Sequence, residues 1–344
     1  MRIELACFSP RGLALGRRLR EALAPGGNEV GLTRCGAGGE ALADWTRRNF
    51  AAARALVFIG AAGIAVRAVA PFLRSKLDDP AVLAVDDAGR FVIPLLSGHF
   101  GGANDLARRL ARELGAAAAI TTATDANGIF ALDQWAARRG YPVRNPAGFK
   151  NASARLLAGE AVGLACAFPL AGRLPPGHLP AGEGDCHLRI ALTLPIRPEP
   201  GQVVPPAAVL GLGCRKGTPA GDIRAAFERL CRGAGICPEA VGGVCSLDLK
   251  RDEPGVREFA EGLGLPFTTF TPAELAGVEG EYAGSAFVRK VAGVDNVCER
   301  AAALGAGGGR PLAGKTVFPG LTLALAEREL RLDFREAGED RPWD

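Results

Sequence analysis

The chain has 344 residues, 48% of them hydrophobic, with a formal net charge of +4. That length exceeds one small core, so two or three domains are expected, and the composition excludes a disordered chain. The charge is too mild, and Trp and Tyr too few, for nucleic acid; apolar runs are too short for a bilayer span, and the start is unlike a secretory signal, which places the protein in the cytoplasm.

Residues 1–140 read as an N-terminal α/β domain. Arg2–Ser9 is a strand, Gly12–Leu23 a helix with Leu13, Leu15, Leu19 and Leu23 in register, Glu29–Thr33 a strand, Glu40–Arg54 a helix and Ala55–Ile59 an apolar strand. Such alternation predicts a doubly wound, mostly parallel sheet, in which ligands bind at the carboxyl ends of strands. Gly60 and Gly63 sit at one such end. Arg67, Arg74 and Lys76 follow and would suit carboxylates, or would simply form a solvated basic face.

Two short strands, Ala81–Val85 and Phe91–Leu95, are joined by the turn Asp86–Gly89. The loop Ser97–Asp105 comes next, SGHFGGAND, and then the helix Leu106–Leu114. Ser97, Gly98, His99, Gly101, Gly102, Asn104 and Asp105 are all site candidates, since polar loops between strand and helix often carry chemistry. His99 is a general base or a brace for its loop. The amides near Gly101 and Gly102 form an oxyanion hole, or those glycines serve close packing. A serine triad through Ser97 with Asp86 or Asp105 is weak, because the GxSxG pattern is missing. A strand at Ala117–Thr121 ends in a second polar loop, where Thr124 and Asp125 are minor candidates or belong to an ordinary cap for the helix Ile129–Arg139.

Residues 141–194 form a less regular middle segment, and residues 195–206, with five prolines, read as an interdomain linker. Residues 207–336 open a second α/β domain: strand Ala207–Leu212, turn Gly213–Gly217, and a helix start with Thr218 as cap and Pro219 at the first position. The glycine spacing fits neither a Walker A loop nor GxGxxG. What remains is a strand-to-helix turn flanked by Arg215 and Lys216, either an anion site or a tight turn. Strand Val241–Leu247 leads to a polar stretch holding Asp248, Lys250, Asp252 and Glu253, and the helix Asn296–Leu304 and strands Thr316–Phe318 and Thr322–Ala326 follow. The nine cysteines lack paired spacing, so no disulfide framework or resident metal site is expected.

The wording of two blocks resembles one family. FVIPLLSGHFGGANDLA, with the GIAVRAVAPFLRSKL run before it, is similar to the N-terminal signature of the cobalt-precorrin-5A hydrolases, the CbiG family of anaerobic cobalamin biosynthesis. GLGCRKGTPAGDIRAAF and CSLDLKRDEPGVREFAEGLGLPF resemble that family's C-terminal, CobE-like domain. The resemblance implies opening of the δ-lactone of a cobalt corrinoid with loss of acetaldehyde. On it, His99 and Asp105 become catalytic candidates. Gly60, Gly63, Arg67, Lys76, Ser97, Gly98, Gly101, Gly102, Asn104, Arg215, Lys216, Thr218 and Lys250 become substrate-binding ones. Cobalt arrives inside an anionic corrinoid, so no cofactor is implied. A homodimer and contact with other cobalamin-pathway enzymes are compatible with it, as is a non-catalytic corrinoid carrier.

Overall fold

The structure, a computed structural model, describes residues 1–25, 27–75, 78–98, 101–196, 200–282, 284 and 294–334. It divides into two compact units, the first comprising Met1–Arg139 among the described residues and the second Gly140–Phe334.

In the first unit, strands β1 (Arg2–Cys7), β2 (Glu29–Arg34), β3 (Ala55–Ile59), β4 (Ala81–Val85), β5 (Phe91–Leu96) and β6 (Ala117–Ala118) form one sheet in the order β2-β1-β3-β4-β5-β6. Helices α1 (Pro10–Leu23), α2 (Leu42–Asn49), α3 (Ala62–Val69) and α4 (Ala103–Leu114) cover it. Strand alternation divides the core cleanly. Ile3, Leu5, Val57, Ile59, Leu83 and Val85 pack with Leu15 and Leu19 of α1 and Leu106 and Leu110 of α4. Ala6, Leu56, Phe58 and Val82 face the other way, onto Trp45 of α2 and Ala65 and Val69 of α3. The doubly wound, mostly parallel sheet is therefore present. Helix α1 starts where Ser9 Oγ accepts the Gly12 amide at 2.8 Å while donating to Asp87 at 2.6 Å.

Some boundaries differ. Helix α2 starts only at Leu42, because Glu40 is held in an extended bridge to Cys35. The helix expected over Ile129–Arg139 is the shorter α6 (Leu132–Arg138), and a separate turn of helix, α5 (Ala123–Ala126), occupies the polar loop before it.

The second unit contains two sheets. Strands β7 (Val143–Arg144), β8 (Val162–Cys166), β9 (His178–Pro180), β10 (Leu188–Ile190) and β11 (Gly201–Val203), with helix α7 (Pro146–Leu157), make the first, ordered β7-β11-β10-β8-β9. The linker expected at 195–206 is thus corrected: its residues Gly201–Val203 are a buried strand, parallel to β10 and antiparallel to β7. The prolines around that strand end it without entering it. The middle segment, less regular in sequence, supplies α7 and strands β7 to β10. Cys237 N donates to Leu192 O and Leu194 N to Gly235 O, both at 2.7 Å, joining it to the sheet that follows.

That second sheet has the order β14-β13-β12-β16-β15, from β12 (Ala208–Cys214), β13 (Val241–Leu247), β14 (Phe267–Phe270), β15 (Pro311–Phe318) and β16 (Leu321–Glu327). Strands β12, β13 and β14 are parallel, and the β15–β16 hairpin is antiparallel to β12. Helices α8 (Ala220–Ala234) and α9 (Pro254–Glu261) pack together through Phe227 and Phe259, with α10 (Pro272–Ala276) following β14. The helix Cys298–Gly305 lies directly on β12. Gly211 is inside β12, within the strand expected at Ala207–Leu212, and a Cβ there would collide with the Cys298 carbonyl oxygen. It is glycine because a helix backbone needs that space.

Gly211→Ala should therefore cost about 1–3 kcal/mol of unfolding free energy. Gly221→Ala, in α8 with open space around it, should be neutral or stabilise by about 0.4–1 kcal/mol. Urea denaturation of both variants checks the contrast.

Candidate functional site

Strand β5 decides where the glycine-rich loop emerges. Asp86 Oδ1 accepts the Arg90 and Phe91 amides, both at 2.6 Å, and turns the chain back on itself. Hence β5 runs antiparallel to β4, with Val85 opposite Val92 and Val82 opposite Leu96. The loop after Leu96 consequently leaves at the edge where β4 begins, and Ser97 Oγ donates to Asp79 O at 2.8 Å. Gly60 is at the other edge, its amide bonded to Val85 O at the end of β4. Gly60, Gly63 and the start of α3 therefore do not share a site edge with Ser97–Asp105. A Cβ at Gly60 would press on the Phe8 ring at 2.8 Å, and Arg67 reaches back to Gly63 O at 3.4 Å on an exposed helix face.

The loop itself is built by packing and ion pairing. Ser97 has a positive φ, 54°, and its hydroxyl is already used. Ala103 N donates to Ser97 O and Asn104 N to Gly98 O, so those two amides at the start of α4 are internal. A Cβ at Gly98 would stand 2.8 Å from Asn104 Oδ1, and one at Gly101 would collide with Ser97 Cβ. The glycines thus allow close approach, and any oxyanion role falls to the Gly101 and Gly102 amides. Asn104, 1% exposed, donates to Thr122 Oγ1 and Asp125 Oδ2, each at 3.0 Å. Asp125 also accepts from Thr122 and Arg108, so it serves as a hub between two loops rather than as a helix cap. Asp105, expected as a catalytic group, is buried and paired with Arg108 at 3.0 Å and Arg138 at 3.6 Å. The two guanidinium groups engage its two carboxylate oxygens, Oδ1 and Oδ2 respectively. His99 and Lys76 lie outside the described residues.

The second cluster is a pocket of about 560 Å³ at the carboxyl ends of β12 and β13, closed by the β15–β16 hairpin and the start of the Cys298–Gly305 helix. Parallel strands that end side by side, with a helix leaving each, create such a hollow. Arg215, Lys216 and Lys250, nominated from separate parts of the sequence, all line it, together with Lys315 of β15. Leu247, Val297 and Leu321 make apolar wall, and Leu249 and Val317 stand at its exposed rim. Among the described lining residues there is no histidine, aspartate or glutamate. Its cations suit an anion with an apolar body, and its described lining supplies no carboxylate or imidazole for proton transfer.

Beneath it, Glu253 fixes the turn. Its Oε1 accepts the Gly217 amide at 2.6 Å and its Oε2 accepts Lys250 Nζ at 3.1 Å. Burial alone would raise its pKa, yet the Gly217 amide, the Lys250 ammonium and nearby Lys216 together hold it below the usual carboxylate range. Thr218, expected to cap α8 or touch ligand, is buried and donates to Arg215 O at 2.9 Å, closing the turn from within, and Pro219 takes the cap position. Sequence reasoning missed Lys315, which carries no motif and becomes visible only through the hairpin's pairing. It also read Glu253 as part of a polar patch; burial of its side chain sets it apart.

Two family models match the chain: "Cobalamin synthesis G N-terminal" at residues 44–125 and "Cobalamin synthesis G C-terminus" at residues 208–326. Together they cover more than half of it. The chain is 36% identical, over 344 aligned residues, to a protein named cobalt-precorrin-5A hydrolase from Salmonella typhimurium, spanning 94% of this chain and 97% of that one. A protein of the same name from Priestia megaterium is 30% identical over 281 residues, 75% of this chain and 74% of that one. Protein CobE of Sinorhizobium sp. is 36% identical over 100 residues, 29% of this chain and 65% of that one.

Because Glu253 is depressed in the fold, its stabilisation is present above the unfolded carboxyl value of about 4.5 and is lost as pH falls through the lower folded value. Glu253→Gln should cost about 1.5–3 kcal/mol at pH 7. The gap to wild type should close as the pH is taken well below 4.5, as denaturant titrations at several pH values would show; a gap that persists there assigns the loss to packing instead.

Proposed function

The chain belongs to the CbiG family of cobalamin biosynthesis, and from that premise we propose that it hydrolyses cobalt-precorrin-5A. The observation that carries this is its 36% identity to the Salmonella typhimurium hydrolase across 97% of that protein. Water adds to the lactone carbonyl, the ring C–O bond breaks, and a carboxylate and a hydroxyl are freed. The hydroxyl then loses its proton, the carbon–carbon bond to the macrocycle breaks, acetaldehyde leaves, and the electron pair and a proton pass to the ring carbon. One water is consumed for each acetaldehyde.

We assign His99 to proton removal, on the chemistry of an imidazole near neutral pH, and Gly101 and Gly102 to the oxyanion. Asp105 becomes a framework residue through its two guanidinium partners. Arg215, Lys216 and Lys250, gathered at one pocket, suit the carboxylate arms of the macrocycle. Cobalt arrives in the substrate. None of the described helices is long and apolar enough to cross a membrane, which fits a water-borne anionic substrate.

A pocket whose described lining holds cations and apolar groups but no histidine or carboxylate favours one alternative, a carrier that binds the corrinoid without converting it. Incubating the purified chain with cobalt-precorrin-5A and trapping acetaldehyde separates the two. The hydrolase releases one acetaldehyde per corrinoid, and His99→Ala slows that release by roughly two orders of magnitude. Near-normal turnover of His99→Ala removes the histidine's role. Tight corrinoid binding without acetaldehyde from the wild-type chain makes it a carrier.

A further inference from the structure

Two large aliphatic side chains stand exposed at the pocket's rim. Leu249 is 66% exposed and Val317 71% exposed. Single exposed aliphatics are ordinary. These two stand on different elements around one hollow, and each is set beside a cation: Leu249 directly precedes Lys250, and Val317 follows Lys315 by two positions on β15. Lys315 and Val317 both line the pocket, so β15 offers it an ammonium and an isopropyl group. Arg215 and Lys216, across the pocket, form no ion pair among the described residues.

A small anion would use the cations and leave the aliphatics idle. A purely apolar ligand would leave Arg215 and Lys216 unmatched. A second copy of this chain, with its net charge of +4, would bring like charge onto a cationic mouth. We propose that Leu249 and Val317 are jaws that close on the apolar face of a flat macrocycle whose carboxylate arms are taken by Arg215 and Lys216. This rests on the corrinoid reading above and deepens it: the pair sets specificity for a ligand that is both flat-faced and anionic.

Both residues are exposed, so Leu249→Ser and Val317→Ser should leave the thermal midpoint unchanged, which is checked first. The probe is cobyrinic acid, a cobalt corrinoid with free carboxylate arms, titrated by absorbance, with its binding compared to that of cobinamide, whose arms are amidated, and of glutarate. The double serine variant should weaken cobyrinic acid binding at least about tenfold and leave glutarate binding as it was. Arg215→Gln with Lys216→Gln should erase the preference for cobyrinic acid over cobinamide. Cobyrinic acid affinity within twofold of wild type in the double serine variant overturns the proposal. So does unchanged affinity combined with loss of a concentration-dependent dimer in sedimentation, which would give the jaws to a second copy. Acetaldehyde release by the wild-type chain is scored separately: its absence removes the hydrolase, while the titrations still decide the jaws.

Discussion

The C-terminal pocket depends on one buried carboxylate. Glu253 sits under the turn that leaves β12 and joins it, through the Gly217 amide and the Lys250 ammonium, to the segment that leaves β13. Two strand ends that could otherwise drift apart are thereby held in one geometry, and three cations come with them. Glu253 is ionised because its donors outweigh the cost of burial. The same charge prevents Lys216 and Lys250 from facing each other uncompensated. Close-packing glycines supply the rest of the frame: Gly255 lets α9 press on the Thr218 carbonyl, and Gly211 lets the Cys298–Gly305 helix lie on β12.

The N-terminal unit has a different logic. Its glycine-rich loop is tied to a network of Asn104, Thr122, Asp125, Arg108, Asp105 and Arg138, which consumes most of the polar groups that sequence alone offers as reactive. Buried networks of this kind rigidify a loop when each member is satisfied. Asn104 Oδ1 is one buried atom of the network without a hydrogen-bond partner among the described residues. The two units thus differ chemically: one has a cationic, apolar hollow, and the other a paired polar network at the start of α4.

Much of this was legible in the residues. Strand and helix alternation gave the doubly wound sheet because both periodicities are strong where both sheet faces are covered, and the hairpin turn at Asp86–Gly89 formed as read. The basic residues Arg215, Lys216 and Lys250 were found because glycines and strand ends flank them. What stayed hidden depends on pairing between distant segments. That β5 runs antiparallel to β4 moves the Ser97–Asp105 loop to the edge opposite Gly60, and no local pattern reports it. Residues 195–206 looked like a linker because proline is rare in strands, yet three residues between those prolines suffice for β11. Asp105 looked reactive since its two arginine partners lie three and thirty-odd residues away. Lys315 belongs to a strand whose sequence suggests no site at all.

Hydrogen–deuterium exchange of the full chain, with and without cobyrinic acid, tests the pocket as the macrocycle site most directly. Bound ligand should slow exchange in the segments around Cys214–Thr218, Leu247–Lys250 and Lys315–Thr322. Saturating ligand that slows exchange elsewhere and leaves those three segments unchanged would contradict the account.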